Sequence, residues 1–219
     1  LLAVGLTFWP VIGHEFVTWD DDINVYENPY LDPAKFWANV RHFWAAPYLR
    51  LYIPLAYTAW AVIAKFAAHA PQLSPLPFHA ANLILHAAAC TLLYYFLIGM
   101  ELSWGAAAFF SLLYTAHPVL VQAVAFITAR NTSLLTAFAL ASMIFLIRFR
   151  ADGKPASCAW HLFFFAAALF TKESGIGLPV VAAWMWIFLH GEKVSSPRFI
   201  ALSGGWGAII AAWFALRGA

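Results

Sequence analysis

Residues 79–100 read HAANLILHAAACTLLYYFLIGM, 22 consecutive positions without an aspartate, glutamate, lysine or arginine. A hydrocarbon core of ~30 Å takes ~20 helical residues to cross, at ~1.5 Å per residue, so this stretch has the length and polarity of a spanning helix. Open backbone is too costly in lipid, and the segment lacks the alternation of a barrel strand, which leaves the helix. Outward from it, Trp104 to about His117, Asn131 to Ile147, Ser157 to Phe170, Gly175 to His190 and Phe199 to Leu216 are further candidate spans. Leu1 to Gly13 reads as the end of another whose start is cut away. Several are short for a full crossing and would borrow interfacial residues or sit in locally thin bilayer.

Composition agrees. Residues able to bury in lipid make up 63% of the 219 positions and charged residues 10%, and mean hydropathy is +0.76. A soluble globule of this length needs charge over most of its surface. The expected fold class is therefore all-α, a multi-pass integral membrane helix bundle of about seven spans. We read residues 1–219 as one transmembrane domain truncated at both ends, with a first loop over residues 14–78. The opening lacks a basic n-region and an A-x-A site, which disfavours a signal peptide. A net charge of +2 gives no field for nucleic acid. Cys90 and Cys158 form no C-x-x-C pair. No P-loop, dinucleotide fingerprint, H-E-x-x-H or G-x-S-x-G occurs, so soluble-enzyme chemistries are unsupported.

Within the first loop, Phe36, Trp37, Val40, Phe43 and Trp44 recur at helical spacing, with Lys35, Asn39, Arg41 and His42 opposite. That pattern suits an amphipathic helix lying in the headgroup layer. Leu51 to Ala68 is apolar enough to span, yet carries Pro54 and Lys65 and is followed by Pro71, Pro75 and Pro77. If it crosses, every later loop changes sides. Arg148, Arg150 and Lys154 fill one loop, and Lys193 and Arg198 fill another two spans later. The positive-inside rule makes both cytoplasmic. With Leu51 to Ala68 flat, the first loop, His117 to Arg130 and Lys172-Glu173 all share the opposite face.

That face holds the candidate chemistry. Asp20, Asp21 and Asp22 are adjacent carboxylates whose repulsion can raise a pKa toward that of a general base, or gather a cation; a solvated acidic turn is the plain alternative. His117-Pro118 breaks a helix, because proline disfavours helical geometry in the residue before it. The stretch from Val119 can then dip back before Arg130. An arginine near membrane depth needs an anion or must snorkel. Neighbours Lys172 and Glu173 face different ways and cannot pair simply, so each points to something else or to water. His79 and His86, with Asn82 between them, lack a third ligand at helical spacing and suit interhelical hydrogen bonds better than a metal.

Taken in order, these pieces resemble the membrane half of GT-C glycosyltransferases, and more narrowly the tetratricopeptide-repeat-bearing family related to protein O-mannosyltransferases. The matching pieces are Phe16-Val17-Thr18-Trp19-Asp20-Asp21, Glu27-Asn28-Pro29, Pro54-Leu55, Phe78-His79 with Asn82-Leu83 and His86-Ala87, His117-Pro118-Val119, Arg130, Thr171-Lys172-Glu173 and Leu178-Pro179. The resemblance implies a flat extracytoplasmic first loop, a polyprenyl-phosphate or dolichyl-phosphate sugar as donor, and inverting transfer to a protein or glycan acceptor. It assigns an aspartate of the first loop, Asp20 or Asp21, as catalytic base. Arg130 and Lys172, with Arg50 in support, would hold the donor phosphate, and Asp22, His117 and Glu173 would line the site. No cofactor is required, although a divalent metal at Asp20 to Asp22 stays open. Localisation in a bacterial inner membrane is favoured over the endoplasmic reticulum. Leu120, Gln122, Asn131-Thr132 and Ile53 depart from the family pattern. A transporter and a catalytically idle scaffold remain the alternatives.

Overall fold

The computed structural model describes residues 2–18, 20–69, 72–189 and 193–218. Trp19, Pro71 and His190, which figure in the reading above, lie outside the described residues.

The chain is helical nearly throughout. Helix α1 (Leu2–Phe8) tightens into a 3-10 turn over Trp9–Gly13, where Pro10 removes a donor, and His14 leaves it extended. The first loop is built from short capped turns. Asn28 Oδ1 accepts from Tyr30 N at 2.9 Å and Asp32 Oδ1 from Ala34 N at 2.9 Å, each closing a turn begun by proline. Two helices follow, α2 (Phe36–Ala45) and α3 (Pro54–Ala67). Between them the chain reverses at a bridge pairing Tyr48 with Leu51, with Leu49 and Arg50 at φ 49° and 67°. Non-glycine residues at such φ are strained, so packing must hold this turn. Two residue pairs, β1 (Ala68–His69) and β2 (Gln72–Leu73), then form a minimal antiparallel ladder.

The remaining helices are α4 (Leu76–Gly99), α5 (Trp104–Thr115), α6 (Leu120–Ala125), α7 (Arg130–Asp152), α8 (Pro155–Thr171), α9 (Leu178–Trp184) and α10 (Pro197–Arg217). Three of them, α4, α7 and α10, are long and apolar enough to cross a membrane. Leu2–Gly13, Trp104–Thr115, Pro155–Thr171 and Glu173–Phe188 are shorter apolar helices. Ile84, Phe109 and Phe188 are 69%, 62% and 72% exposed, an apolar exterior that lipid would cover. Helix α3, at 14 residues, is only ~21 Å long. Pro54 opens it, where a missing N–H costs least.

Helices α7 and α8 form the central hairpin. Its turn uses Gly153 at φ 63° as the left-handed residue after α7, followed by Pro155 at the start of α8. The buried His161 ties three helices together. It takes a hydrogen bond on Nε2 from the Trp206 indole at 2.8 Å, while Nδ1 lies 2.9 Å from Ser142 O. An indole only donates, so the ring proton sits on Nδ1 and is given to the Ser142 carbonyl. Near this link Gly205 lets α10 approach α8, since a Cβ there would meet the Leu162 side chain at 2.6 Å.

One expectation is revised. The apolar stripe of α2 does not lie outward as a unit. Phe43 is buried against Tyr57 in a stacked pair 4.7 Å apart, while Trp37 remains 78% exposed. Asn39, expected on the polar side, is buried because its amide donates to Asp32 O at 2.8 Å. Helix α2 therefore packs on α3 through one edge of the stripe and shows the other edge outward.

Candidate active site

The helix directions gather one set of ends. The starts of α4 and α7 and the finishes of α8 and α10 meet there, as Arg130 contacts with Phe78 and Asn82 and a Glu173 contact with Arg217 establish. Arg148, Arg150, Lys154 and Arg198 lie at the other end, where Arg198 Nη1 donates to Arg150 O at 3.3 Å.

At the first end a cavity of about 520 Å³ opens between the first loop, α3, the α6–α7 turn and the end of α8. Asp20 and Lys172 line it, with Asn24, Gln122, Asn131 and Thr132 as further polar groups and Tyr57 and Trp60 among the apolar ones. Lys172 Nζ donates to Thr132 Oγ1 at 2.7 Å, which fixes the ammonium at the cavity wall.

Asp21 sits behind that wall, 1% exposed. Val17 N donates to Oδ2 at 3.1 Å and Thr128 N to Oδ1 at 3.3 Å, and both Val17 and Thr128 line the cavity. Burial pushes the Asp21 carboxyl above the ordinary carboxylate value; the Val17 and Thr128 hydrogen bonds oppose this, and Asp20 adds a smaller rise. The chain then makes a π-turn over Asp22–Tyr26, closed by Glu27 N donating to Asp22 O at 2.8 Å. This turns Asp22 away, and its carboxylate accepts from Ile23 N at 2.8 Å. The three carboxylates thus diverge into a cavity, a buried backbone pocket and a turn. Among the described residues no group of three or more His, Cys, Asp or Glu is placed to hold a metal ion. The carboxylates of Asp20, Asp21 and Asp22 do not converge on one point.

Arg130 is wholly buried at the first position of α7 and does not line the cavity. Its Nη2 donates to Phe78 O at 2.6 Å and its Nε to Asn82 Oδ1 at 2.8 Å, with the guanidinium 5.3 Å from the Phe78 ring centre. Nη1 has no hydrogen-bond partner among the described residues. Asn82 completes the junction, its amide donating to Val124 O and Phe126 O at 3.0 Å each. This one pair of side chains ties together α4, the end of α6 and the start of α7. Sequence reasoning treated Asn82 only as an interhelical polar residue and did not single out Thr132 or Gln122 as cavity groups. Thr132 could have been found, because it stands two residues after Arg130 in the first turn of α7, at the same end of that helix.

Other anticipated site residues lie elsewhere. His117 is exposed, and its Nδ1 accepts from Val119 N at 3.2 Å, capping the break that Pro118 imposes before α6. Arg50 is exposed in the left-handed turn and is not a cavity residue, although Leu51 and Ile53 are. Glu173 turns from the cavity to meet Arg217 Nη2 at 3.4 Å, so Lys172 and Glu173 do engage different partners.

Fold and cavity define a helical protein in which three of the described helices are long and apolar enough to cross a membrane, with a chamber at one end that presents a carboxylate and an ammonium. The chain is similar to a Caenorhabditis elegans protein O-mannosyl-transferase, 29% identical over 192 residues, covering 80% of this chain and 26% of that relative. It therefore spans about a quarter of the relative's length. The similarity points to a mannosyltransferase-like family. No family model matches the chain, and no solved structure matches it.

Proposed function

We propose that the chain is the catalytic membrane part of a glycosyltransferase that moves a mannose-like sugar from a polyprenyl-phosphate carrier to a hydroxyl on a protein or glycan. The observation that carries this reading is the placement of Asp20 and Lys172 on the walls of one cavity at the end of the bundle opposite Arg148, Arg150, Lys154 and Arg198. By the positive-inside rule the cavity end is extracytoplasmic.

In the proposed step the acceptor hydroxyl oxygen attacks the anomeric carbon from the face opposite the phosphate. The C1–O bond to phosphate breaks, its electron pair leaves on the lipid phosphate, and the anomeric configuration inverts. Asp20 takes the hydroxyl proton. Geometry favours it over Asp21, whose two oxygens are already engaged by backbone N–H groups behind the cavity wall. Lys172 meets the phosphate charge as it develops, from a partly buried position on the cavity wall. Arg130 acts at one remove, by fixing the α6–α7 turn that carries Thr128, Asn131 and Thr132. The phosphate is a good leaving group, so no strong general acid is needed. Relatedness to a protein O-mannosyl-transferase supports the sugar and acceptor classes.

The test is transfer of radiolabelled mannose from polyprenyl phosphate mannose by membranes holding the full-length protein. Asp20→Asn is expected to lower transfer by ~10²-fold or more, the usual worth of a general base, while donor binding persists. Full transfer by Asp20→Asn would remove this cavity from consideration.

A further inference from the structure

At the end of the bundle away from the cavity, a second concavity of about 480 Å³ lies between α4, α7 and α8. Its walls are apolar, built from Leu92, Tyr95, Ile98, Ile144, Phe145 and Phe164, and the one charged group among its lining residues is Arg148. The groove follows α7 from Ala141 to Arg148, eight residues or ~10 Å of helix, long enough to reach from a headgroup layer into hydrocarbon. Arg148 is exposed, with its guanidinium 5.2 Å from the Phe145 ring centre, and among the described residues it has no carboxylate within ion-pair distance.

Among the described residues cations outnumber acids at this end, and Glu192 of the same loop lies outside them. Arg148, Arg150, Lys154, Lys193 and Arg198 stand against Glu101 and Asp152 among the described residues. Asp152 is already engaged, accepting from Lys154 N and from the Ser157 hydroxyl at 2.9 Å each. Apolar walls alone select nothing in a bilayer, since lipid tails are as apolar as the leucines they touch. Selectivity must come from the mouth, where Arg148, near the Asp152 carboxylate but outside ion-pair distance of it, faces the headgroup layer.

We propose that this groove holds an anionic phospholipid of the adjoining leaflet, with one acyl chain between α4 and α7 and the phosphate against Arg148. Basic pockets between membrane helices take such headgroups, and the delocalised guanidinium suits a phosphate oxygen pair. The site is separate from the sugar-transfer cavity and does not depend on that function.

Native mass spectrometry of the purified full-length protein, titrated with phosphatidylglycerol or phosphatidylcholine, tests it. Phosphatidylglycerol should be retained at least about fivefold more tightly, and Arg148→Ala should remove about that factor, the worth of one basic residue at an anionic surface. Arg148→Lys should keep most of the preference. Lys154→Ala, which alters a cation at the same end but outside the groove, should cost less than about twofold, as an exposed headgroup-layer charge does. Ile144→Trp should weaken retention of phosphatidylglycerol without changing charge. A bimane label on Ile144→Cys should be quenched by brominated lipid, which reads the groove even if Arg148→Ala fails to fold. Equal retention of the two lipids overturns the proposal, as do equal losses from Arg148→Ala and Lys154→Ala. An unquenched label would mean that protein covers the groove, and displacement of phosphatidylglycerol by polyprenyl phosphate at equal concentration would give it to the donor; either result also overturns the proposal.

Discussion

The backbone N–H of Thr128 donates to Oδ1 of Asp21 at 3.3 Å, joining two points 107 residues apart. With the Val17 N–H on the other oxygen, it pins the first loop to the turn that starts α7. The cavity wall exists because of this clasp. It places Asp20 in the cavity and sends Asp22 into the π-turn beyond.

The clasp carries a pH dependence. The folded-state carboxyl of Asp21 is raised above its ordinary value, chiefly by burial. A raised acid contributes stability fully present below the unfolded pKa and lost as pH rises through the folded one. Acidification from about pH 7 toward about pH 4, the ordinary carboxylate range, should therefore stabilise the wild type relative to Asp21→Asn. Thermal unfolding of both proteins in detergent across that range checks the sign. A difference that grows with rising pH in favour of the wild type contradicts it.

Asn82→Ala should be among the most damaging single truncations. It strips the hydrogen bonds from Arg130 Nε, Val124 O and Phe126 O, all at a buried junction. Leaving such groups unpaired costs roughly 1–3 kcal/mol each before relaxation, so a net loss of about 3 kcal/mol is expected. Denaturant titration of the purified protein measures it.

Lys172→Met should weaken donor affinity and turnover together, since the ammonium at the cavity wall would meet the phosphate in both ground and transition states. Thr132→Val removes only the hydroxyl that holds Lys172 Nζ at 2.7 Å. It should give a smaller loss, about tenfold or less, through positioning. Equal effects of the two changes would mean that Lys172 serves the fold alone.

Single cysteines at Asn24 and at Lys154 should react with an impermeant maleimide from opposite sides of intact vesicles. The first residue lines the cavity and the second opens α8 at the basic end. Labelling from one side would reverse the side assigned to the cavity.

Much of the helical layout was legible in the chain. Charge-free runs fix where the apolar helices lie, Pro54 and Pro155 mark starts, and Pro118 marks the break before α6. These are local effects of backbone geometry and solvation. The 3.6-residue pattern of α2 was equally visible, but which edge of its stripe is covered depends on α3, and Asn39 became a buried residue through a bond to Asp32 that no periodicity encodes.

By itself the sequence determined the helical character, the segments with membrane-crossing polarity and the two short basic loops that hold Arg148 to Lys154 and Lys193 to Arg198, because burying charge or open backbone in lipid is prohibitive at any one position. Only the tertiary structure decided that Asp20 faces the cavity while Asp21 closes on Thr128, that Lys172 meets Thr132 while Glu173 turns to Arg217, and that Arg130 is clasped by Phe78 and Asn82 beneath the cavity. Adjacent carboxylates are identical in composition and differ only in the backbone that follows them. The π-turn over Asp22–Tyr26 rotates successive side chains into different surroundings, and contacts from residues far along the chain set what each surrounding is.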